Sequence, residues 1–362
     1  METKNKSFFF LAFSIILLTG ILGLISFVIL YLFTRLSIGR DKESKHGINT
    51  GSSRMGGLAI ILSSAIGILL KMQFANTSNF LTITSENTLI FVFSTMIGLI
   101  GLAEDLSQKI GFKVRLILTF AVIIITFAVF PGYIPVNLPL FSFLGIDEYF
   151  FIILFFTVFM VAGFINAGNI ADGANGLLSI ISLLFFIITY PLNGELLTIA
   201  IMISLLSFSL YNIFTGEIFL GDFGSYFLSS FLALSCLYIY SKNNVSVFMF
   251  ASILIYPCFE IIRSLLIRLI NKSSIFHPDN DHLHNYINNF ILKSGLDQHT
   301  SNSVTGVSIA LMSSGPALIL FLIGVPPLSN NWLILFLIQI IFFALIFILF
   351  FNQKYYKSDK YY

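Results

Sequence analysis

The sequence predicts an all-α, polytopic membrane protein, and its composition, its long apolar runs and the distribution of its charges indicate this fold class. Of its 362 residues, 57% are hydrophobic and only 10% are charged. A soluble fold of this size could not bury so much apolar surface. The net charge of +2 is spread between apolar segments rather than gathered in a basic face. The expected partner is therefore the lipid bilayer and not nucleic acid.

Eleven apolar segments are long enough to be membrane-spanning helices. A helix needs about 20 apolar residues to cross roughly 30 Å of hydrocarbon. The segments are approximately 8–33, 57–74, 88–103, 115–130, 149–167, 174–191, 196–214, 220–240, 246–268, 304–324 and 332–351. The second to fourth have indistinct ends, so ten spans are the alternative. We expect residues 1–362 to form a single transmembrane domain.

The positive charges predict the orientation of these helices. Alternate connections carry most of the Lys and Arg residues, and the positive-inside rule places those connections in the cytoplasm, with the N-terminus outside and the C-terminus cytoplasmic. The predicted cytoplasmic loops are 34–56, 104–115, 168–174, 215–221 and 269–303. The strongly polar clusters of the chain fall in or beside these loops. Because ionisable groups near hydrocarbon are expensive, such convergence indicates a polar active site.

Two adjacent carboxylates, Glu104 and Asp105, end the third predicted span, and Lys113 and Arg115 follow them. Neighbouring carboxylates repel each other, so the pair suits a site with a divalent cation, a cationic group or a general base. Charges that flank a helix in a solvated loop are the simpler interpretation. The pair taken alone favours that interpretation.

A second cluster lies in the segment INAGNIADGANGLLSI. Asn166, Asn169 and Asp172 are spaced three residues apart, which would align them on one helical face. Gly173 and Gly176 allow close backbone approach. Amides with a carboxylate suit recognition of a uracil-like edge and coordination by oxygen ligands. The alternative is an ordinary capped turn between helices.

In the segment FLGDFGS, Asp222 lies between Gly221 and Gly224 at the predicted start of the eighth span. The exposed amides of a helix N-terminus also favour anions. Hard oxygen ligands without a nearby cysteine or histidine pair indicate Mg²⁺ or Mn²⁺ rather than zinc. The alternative is that Asp222 is only an N-cap.

The segment FHPDNDHLH places His282 and His284 in the longest cytoplasmic loop. Two residues apart, the rings would point to opposite sides of a strand and lie apart on a helix, so a shared zinc is not expected. With Arg263 and Arg268 nearby in sequence, the imidazoles suit pyrophosphate contacts or proton handling. A surface loop with scattered histidines is the alternative.

Together, these clusters describe a metal-assisted phosphoryl-transfer site at a membrane surface. The motifs KHGINTGSSRMGG, GLAEDLSQKIGFKVR, NAGNIADGANGL, FLGDFGS and HPDNDHLH, in that order, resemble those of the polyprenyl-phosphate N-acetylhexosamine-1-phosphate transferases of glycosyltransferase family 4. The resemblance runs from about residue 35 to 290. It implies transfer of a sugar 1-phosphate from a UDP-N-acetylsugar to undecaprenyl phosphate, with release of UMP.

The resemblance also implies the setting of the reaction and the roles of individual residues. Mg²⁺ would be the cofactor, the active site would face the cytoplasm from the bacterial cytoplasmic membrane, and a homodimer is one expected assembly. Asp222 and Asn169 resemble the metal ligands, and Glu104 or Asp105 resembles the carboxylate that activates the lipid phosphate. The residues expected to bind the substrates are Lys45, Arg54, Lys113, Arg115, Asn166, Asp172, Asn175, Phe219, Arg268, His282 and His284.

Within that set, Phe219 resembles the ring that stacks on uracil, and Arg268 with the two histidines resembles the pyrophosphate-binding loop of the family. Four positions depart from the family pattern: Glu104 and Asn175 each replace an Asp, Ser53 replaces a Pro, and Asn285 replaces the third histidine of the murein-precursor branch. The last departure predicts that a MurNAc-pentapeptide is not the substrate.

Two other classes of function stay open from the sequence. A transporter or flippase would use the same polar groups as a gate and would carry polar residues through its spans. Glu260, with Arg263 as its expected partner, is the carboxylate that such a site would use. A scaffold with a decayed site would release no UMP. Within the enzyme class, direct attack by the lipid phosphate and a route through an aspartyl intermediate are both open.

Overall fold

The structure is a computed structural model, and it describes residues 2–36, 51–74, 86–146, 148–270, 272 and 282–358. Over these residues the chain is almost entirely helical and contains no β-strand. One isolated parallel bridge joins Ser53 to Ile218. The predicted all-α fold class is therefore confirmed. Lys45, one of the expected substrate-binding residues, lies outside the described residues.

The α-helices of the described residues are α1 (Glu2–Arg35), α2 (Gly56–Phe74), α3 (Glu86–Ser107), α4 (Phe112–Val129), α5 (Pro139–Phe143), α6 (Phe150–Ala171), α7 (Leu177–Asn193), α8 (Leu196–Thr215), α9 (Gly221–Lys242), α10 (Val247–Ile253), α11 (Ile255–Ile270), α12 (Leu283–Leu292), α13 (Gln298–Leu322) and α14 (Asn331–Ser358). A short 3-10 turn, Pro131–Tyr133, follows α4.

Each apolar segment predicted from the sequence corresponds to helix. Within the described part of the chain, eight helices are long and apolar enough to cross a membrane, namely α1, α3, α4, α6, α8, α9, α13 and α14. The bent pair α10 and α11 is a ninth if it counts as one span. The apolar parts of α2 and α7 are shorter. A polytopic membrane protein is confirmed, and the number of eleven spans and the orientation stay predictions.

The helices group into two compact units, and the predicted single domain stays a prediction. Unit 1 comprises residues 1–169 and 189–244, and unit 2 comprises residues 170–188 and 245–362. In unit 1, α9 packs along α3 and also contacts α2, while α1, α2 and α8 pack on one another. In unit 2, α10 and α11 pack against α13 and α14, and α12 packs mainly on α13.

The start of α9 is closely surrounded because glycines face it from three helices. Gly57 of α2 lies against the backbone of Gly224, and Gly101 of α3 lies against the backbone of Asp222, so a Cβ atom at either glycine would overlap α9. Gly168 of α6 lies equally close to the Ser229 side chain. Small residues let membrane helices approach closely. The first turns of α9 are thereby held between α2, α3 and α6.

The ninth predicted span is two helices, α10 and α11, that meet at 80°. Pro257 has no N–H to donate to the carbonyl of Ile253, as a continuous helix would require. That carbonyl instead accepts a hydrogen bond from Ser314 Oγ (2.7 Å). The N–H of Tyr256 donates to Ser313 Oγ (3.3 Å). Two serines of α13 therefore satisfy the backbone groups that the bend leaves open.

Helix α12 was not predicted, because residues 269–303 were expected to form a loop. Its sequence does carry a helical signal: Leu283, Ile287, Phe290 and Ile291 recur with the spacing of one helix face. The polar residues between them, and the histidine motif at their start, made the segment look like a connection. α12 matters for function because it begins at the histidine motif.

Candidate active site

The loop before α2 is attached to the segment before α9 in unit 1. The N–H of Ser53 donates to the carbonyl of Glu217 (3.0 Å), and the N–H of Phe219 donates to the carbonyl of Ser53 (2.8 Å). Gly56 N–H donates to the carbonyl of Phe219 (2.9 Å). These bonds bring Arg54, which is buried, next to the first residue of α9, Gly221. Phe219 itself is half-buried in this segment.

Asp105 binds the N-terminus of α9. Its Oδ1 accepts from the N–H of Asp222 (3.1 Å) and its Oδ2 from the N–H of Phe223 (2.9 Å). Arg54 Nη1 lies 3.9 Å from Oδ1. The side chain of Asp105 is fully buried. A carboxylate at this position satisfies two of the four open N–H groups of a helix start and complements the positive end of its dipole. Asp105 is thus an anchor that joins α3 to α9.

Gly221 forms the turn that lets the carboxylate of Asp105 reach the first N–H groups of α9. Its φ of +73° lies in the left-handed region that favours glycine. A Cβ atom there would also overlap the carbonyl of Arg54 and the carboxylate of Asp105. The glycine before Asp222 therefore serves both the backbone conformation and the close approach of three segments.

Asp222 lies in the first turn of α9, as predicted, but it is not the cap of that helix. Its Oδ2 forms an ion pair and hydrogen bond with Arg115 Nη1, and its side chain is 22% exposed. The guanidinium of Arg115 lies 6.0 Å from the ring centre of Tyr226. Arg115 Nε is buried and has no hydrogen-bond partner among the described residues. The N-cap alternative for Asp222 is wrong, because Asp105 occupies that role.

Asn169 is joined to the same turn of α9. Ser225 Oγ donates to Asn169 Oδ1 (2.7 Å) and also contacts the carbonyl of Asp222 (3.3 Å). Asn166 is directed elsewhere, since its amide donates to the carbonyl of Ala162 in its own helix (2.8 Å). The two predicted metal ligands therefore adjoin the start of α9 through one serine, whereas Asn166 bonds to its own helix.

Glu104 and Asp105 are adjacent in sequence but have different environments. Glu104 is partly exposed, and its Oε2 accepts from the N–H of Ile110 in the α3–α4 connection (2.7 Å). Lys113 is exposed at the start of α4. The neighbouring carboxylates thus diverge: one enters the helix junction and the other lies at its edge.

In unit 2, the carboxylate of Glu260 is fully buried and binds three partners. Arg263 Nε lies 3.1 Å from Oε1, and Arg263 Nη2 also donates to this oxygen. His282 Nδ1 lies 2.9 Å from Oε1. The N–H of Leu283 lies 3.3 Å from both oxygens. The expected pairing of Glu260 with Arg263 is confirmed, and the contacts to His282 and Leu283 are additional.

His282 and His284 lie side by side, which corrects the expectation that their rings would be apart. The ring centres are 5.3 Å apart and the planes differ by 19°. His282 precedes α12 with extended backbone (φ −93°, ψ 148°), and His284 is in the first helical turn. The expectation assumed one uniform strand or helix, whereas the motif crosses a helix boundary. His284 Nδ1 lies 3.0 Å from the hydroxyl of Tyr256, a residue that the sequence did not single out.

The glycine-rich turn between α6 and α7 also contacts this histidine. α6 ends at Ala171, so Asp172 follows the helix and does not complete a helical face with the two asparagines, as had been expected. Gly173 lies so close to the ring of His284 that a Cβ atom would overlap Nε2. The close backbone approach predicted for this glycine is confirmed.

Asn175 and Arg268 occupy different positions in unit 2. Asn175 is buried, and its amide donates to Ser303 Oγ of α13 (3.0 Å). Arg268 is half-buried in the last turn of α11. Two clusters therefore result. The first comprises Arg54, Glu104, Asp105, Arg115, Asn169, Asp222 and Ser225 in unit 1, and the second comprises Tyr256, Glu260, Arg263, His282 and His284 in unit 2.

The donor chemistry of the first cluster suits a hard cation. Among the described residues, no three His, Cys, Asp or Glu side chains are grouped as a protein-only metal site. Mg²⁺ commonly takes one or two protein oxygen ligands and completes its shell with substrate phosphates and water. Asp222 and Asn169 offer one carboxylate and one amide oxygen beside the same helical turn. These two residues fit such a partial site, in which Arg115 now pairs with the carboxylate.

The helices and the first cluster together describe a membrane-embedded helical protein that carries acidic and basic side chains around one helix start. Residues 87–240 match the family model for glycosyl transferase family 4, and this region contains most of the first cluster. Relatives named as undecaprenyl-phosphate sugar 1-phosphate transferases support this similarity to glycosyl transferase family 4.

Three relatives define the comparison further. The chain is 30% identical over 246 residues to a probable undecaprenyl-phosphate N-acetylglucosaminyl 1-phosphate transferase of Bacillus subtilis, covering 64% of each protein. It is 29% identical over 194 residues to an undecaprenyl-phosphate alpha-N-acetylglucosaminyl 1-phosphate transferase of Thermotoga maritima, covering 54% of the chain and 59% of the relative. A phospho-N-acetylmuramoyl-pentapeptide-transferase of Dictyoglomus turgidum is 31% identical over 212 residues, with 54% and 62% covered. The matches span less than two thirds of each relative's length.

Proposed function

We propose that this protein transfers N-acetylhexosamine 1-phosphate from a UDP-sugar to undecaprenyl phosphate and releases UMP. The observation that carries the proposal is the first cluster, in which Asp222, Asn169 and Arg115 adjoin one helix start. A carboxylate, an amide oxygen and a guanidinium are groups suited to a cation and to phosphate oxygens. The names of the relatives supply the chemical class.

In this proposal, an oxygen of the lipid phosphate attacks the sugar-linked phosphorus, and the bond from that phosphorus to the bridging oxygen of UMP breaks. Positioning and charge stabilisation are the main contributions of a protein to such a transfer. Arg115 provides a positive charge at the edge of the cluster. Mg²⁺ bound by Asp222 and Asn169 would neutralise charge on the donor diphosphate, and Mn²⁺ is the expected substitute.

We assign the reactive carboxylate to Glu104 rather than to Asp105. Both oxygens of Asp105 accept hydrogen bonds from the α9 backbone, and its side chain is fully buried. Glu104 is partly exposed, and its hydrogen bond to Ile110 uses only Oε2. A general base must reach the group that it deprotonates or orients. The partly exposed carboxylate meets this requirement better.

We further propose that the enzyme is a multi-pass protein of the bacterial cytoplasmic membrane with its active site on the cytoplasmic face. The distribution of Lys and Arg supports this orientation. The second cluster, with its paired histidines and arginine, is the proposed contact for the diphosphate of the donor. Asn285 at the position of a third histidine argues for a simple UDP-N-acetylsugar rather than a MurNAc-pentapeptide donor.

The test is a UMP-release assay on detergent-purified protein with undecaprenyl phosphate, Mg²⁺ and a panel of UDP-N-acetylsugars. We expect UMP release with at least one sugar, and we expect it to require both the lipid phosphate and the divalent cation. Formation of UMP without lipid phosphate would indicate hydrolysis. A folded protein that releases no UMP from any member of the panel would remove the proposal.

A further inference from the structure

Glu260 has more polar contacts than a simple ion pair needs. Its carboxylate, on α11 and fully buried, accepts from Arg263, from the N–H of Leu283 and from the ring of His282. Arg263 alone would balance its charge. The other two contacts are made to consecutive residues at the start of α12. This carboxylate therefore fixes where α12 begins and how His282 is oriented.

The contact with His282 determines which ring nitrogen can meet a ligand. An ionised carboxylate only accepts hydrogen bonds, so Nδ1 at 2.9 Å from Oε1 carries the hydrogen. The described contacts of this ring are at Nδ1 and through stacking with His284. Within the described part of the chain, no hydrogen bond is made by Nε2. When Nε2 also carries a hydrogen, it donates to a phosphate oxygen, and Glu260 balances the positive charge of the ring.

The neighbouring histidine is held in a parallel way. Tyr256, one turn before Glu260 on α11, contacts His284 Nδ1 through its hydroxyl (3.0 Å). Gly173 packs against the other edge of that ring. The two imidazoles are stacked, so an orientation imposed on one constrains the other. α11 thus carries the groups that orient both rings.

We infer that Glu260 is a positioning residue, which orients His282 so that its Nε2 binds the diphosphate of the sugar donor. The inference rests on the proposed function and deepens it by naming the residue that prepares the contact. It also gives a role to the carboxylate that a transporter would have used as an ion site. Its oxygens are bonded within the chain rather than open to a transported ion.

The test is a kinetic double-mutant cycle with Glu260→Gln and His282→Asn, measuring kcat and the KM for the UDP-sugar separately. Gln has nearly the same shape and can still accept from Leu283, but it lacks the charge. We expect Glu260→Gln to raise KM roughly ten- to hundred-fold, the loss typical of a charge-assisted hydrogen bond. In the double variant, KM should stay within about two-fold of the value for His282→Asn alone.

A merely structural role predicts a different pattern. It would lower the fraction of active enzyme, and so the apparent kcat, while KM stayed unchanged. Glu86→Gln is the matched control, because Glu86 is also paired with a cation, Lys242, and lies outside both clusters. We expect this control to leave both constants unchanged.

If Glu260→Gln does not fold, the cycle is repeated in a protein that already carries Arg263→Gln. Glu260→Gln and His282→Asn are then introduced into that protein singly and together. Glu260→Gln with Arg263→Gln removes both charges together, which buried sites tolerate better than the loss of one. In either cycle, effects on KM that multiply would overturn the inference. A wild-type enzyme that releases no UMP would instead remove the proposed function itself.

Discussion

Each of the two units has a buried carboxylate that binds a helix start, but the carboxylates and their partners are arranged differently along the sequence. Asp105 in unit 1 and Glu260 in unit 2 each accept from backbone N–H groups at a helix start, and each lies near an arginine. Asp105 lies 117 positions from the helix start that it binds. Glu260 lies 23 positions from Leu283, and its arginine follows one turn later on the same helix.

The two carboxylates differ in what they do besides anchoring a helix. Asp105 accepts hydrogen bonds from the α9 backbone, and the carboxylate of the proposed metal ligand in that turn, Asp222, pairs with Arg115 instead. Glu260 contacts the proposed substrate-binding side chain itself, His282. One anchor therefore positions a site residue through the backbone, and the other positions it directly. Substitutions at the two carboxylates should therefore have different effects on stability and on activity.

The largest effect is expected for Asp105→Ala. This change leaves two N–H groups of α9 and the nearby guanidinium of Arg54 without their buried acceptor. We expect the free energy of unfolding to fall by roughly 3–5 kcal/mol, with loss of UMP release. Thermal unfolding of the purified protein in detergent measures it. Unfolding at the wild-type temperature would show that Asp105 is not the anchor of α9.

Glu104→Gln changes only the carboxylate next to Asp105 and leaves the contacts of Asp105 with α9 in place. We expect kcat to fall about 100-fold, a value typical of losing a general base, while the unfolding temperature stays at the wild-type value. Steady-state UMP release gives kcat, and the unfolding scan is the control. Wild-type kcat in this variant would return the catalytic role to Asp105 or to another group.

Gly101→Ala tests whether α9 must approach α3 closely. The added Cβ would overlap the backbone of Asp222, so α9 must shift. We expect a loss of about 1–3 kcal/mol in the free energy of unfolding, the usual effect of overpacking. Gly163→Ala is the matched control, because that helical glycine faces open space. It should be neutral or stabilising by up to about 1 kcal/mol. Equal effects of the two changes would contradict the packing argument.

The smallest effect is expected for Tyr256→Phe in unit 2. The ring stays in place and only the hydroxyl contact with His284 Nδ1 is lost. A single hydrogen bond contributes about 1 kcal/mol, so kcat/KM for UMP release should fall roughly five-fold. The same assay measures it. A loss as large as that expected for Glu260→Gln would mean that His284, not His282, is the principal contact.

Much of the fold follows from the sequence because long apolar runs are nearly sufficient to specify membrane helices. The bend between α10 and α11 is harder to predict from the sequence. Pro257 indicates a break, but the groups that satisfy it, Ser313 and Ser314, lie more than 50 positions later. α12 was missed because its apolar positions are separated by polar residues.

The sequence predicts which residue types form the site better than it predicts the contacts that those residues make. Asp222 at a helix start and the close approach at Gly173 followed from local signals. The roles of Asp105 and Glu260 depend on partners far along the chain, which no local pattern specifies. The position of Glu260 within an apolar run was the available signal, since buried charges in membrane helices are seldom without function.

The role of Asp222 as a metal ligand is tested by UMP release from Asp222→Asn and from the wild type over a range of Mg²⁺ concentrations. We expect UMP release by the wild type to depend on Mg²⁺. We expect the variant to fold normally but to turn over at least 100-fold more slowly, as enzymes do when a key electrostatic group is removed. Normal folding is expected because the Asp222 carboxylate does not cap α9 and is partly exposed. Full activity in Asp222→Asn would contradict the proposed metal site and, with it, the assignment of the first cluster as the reaction centre.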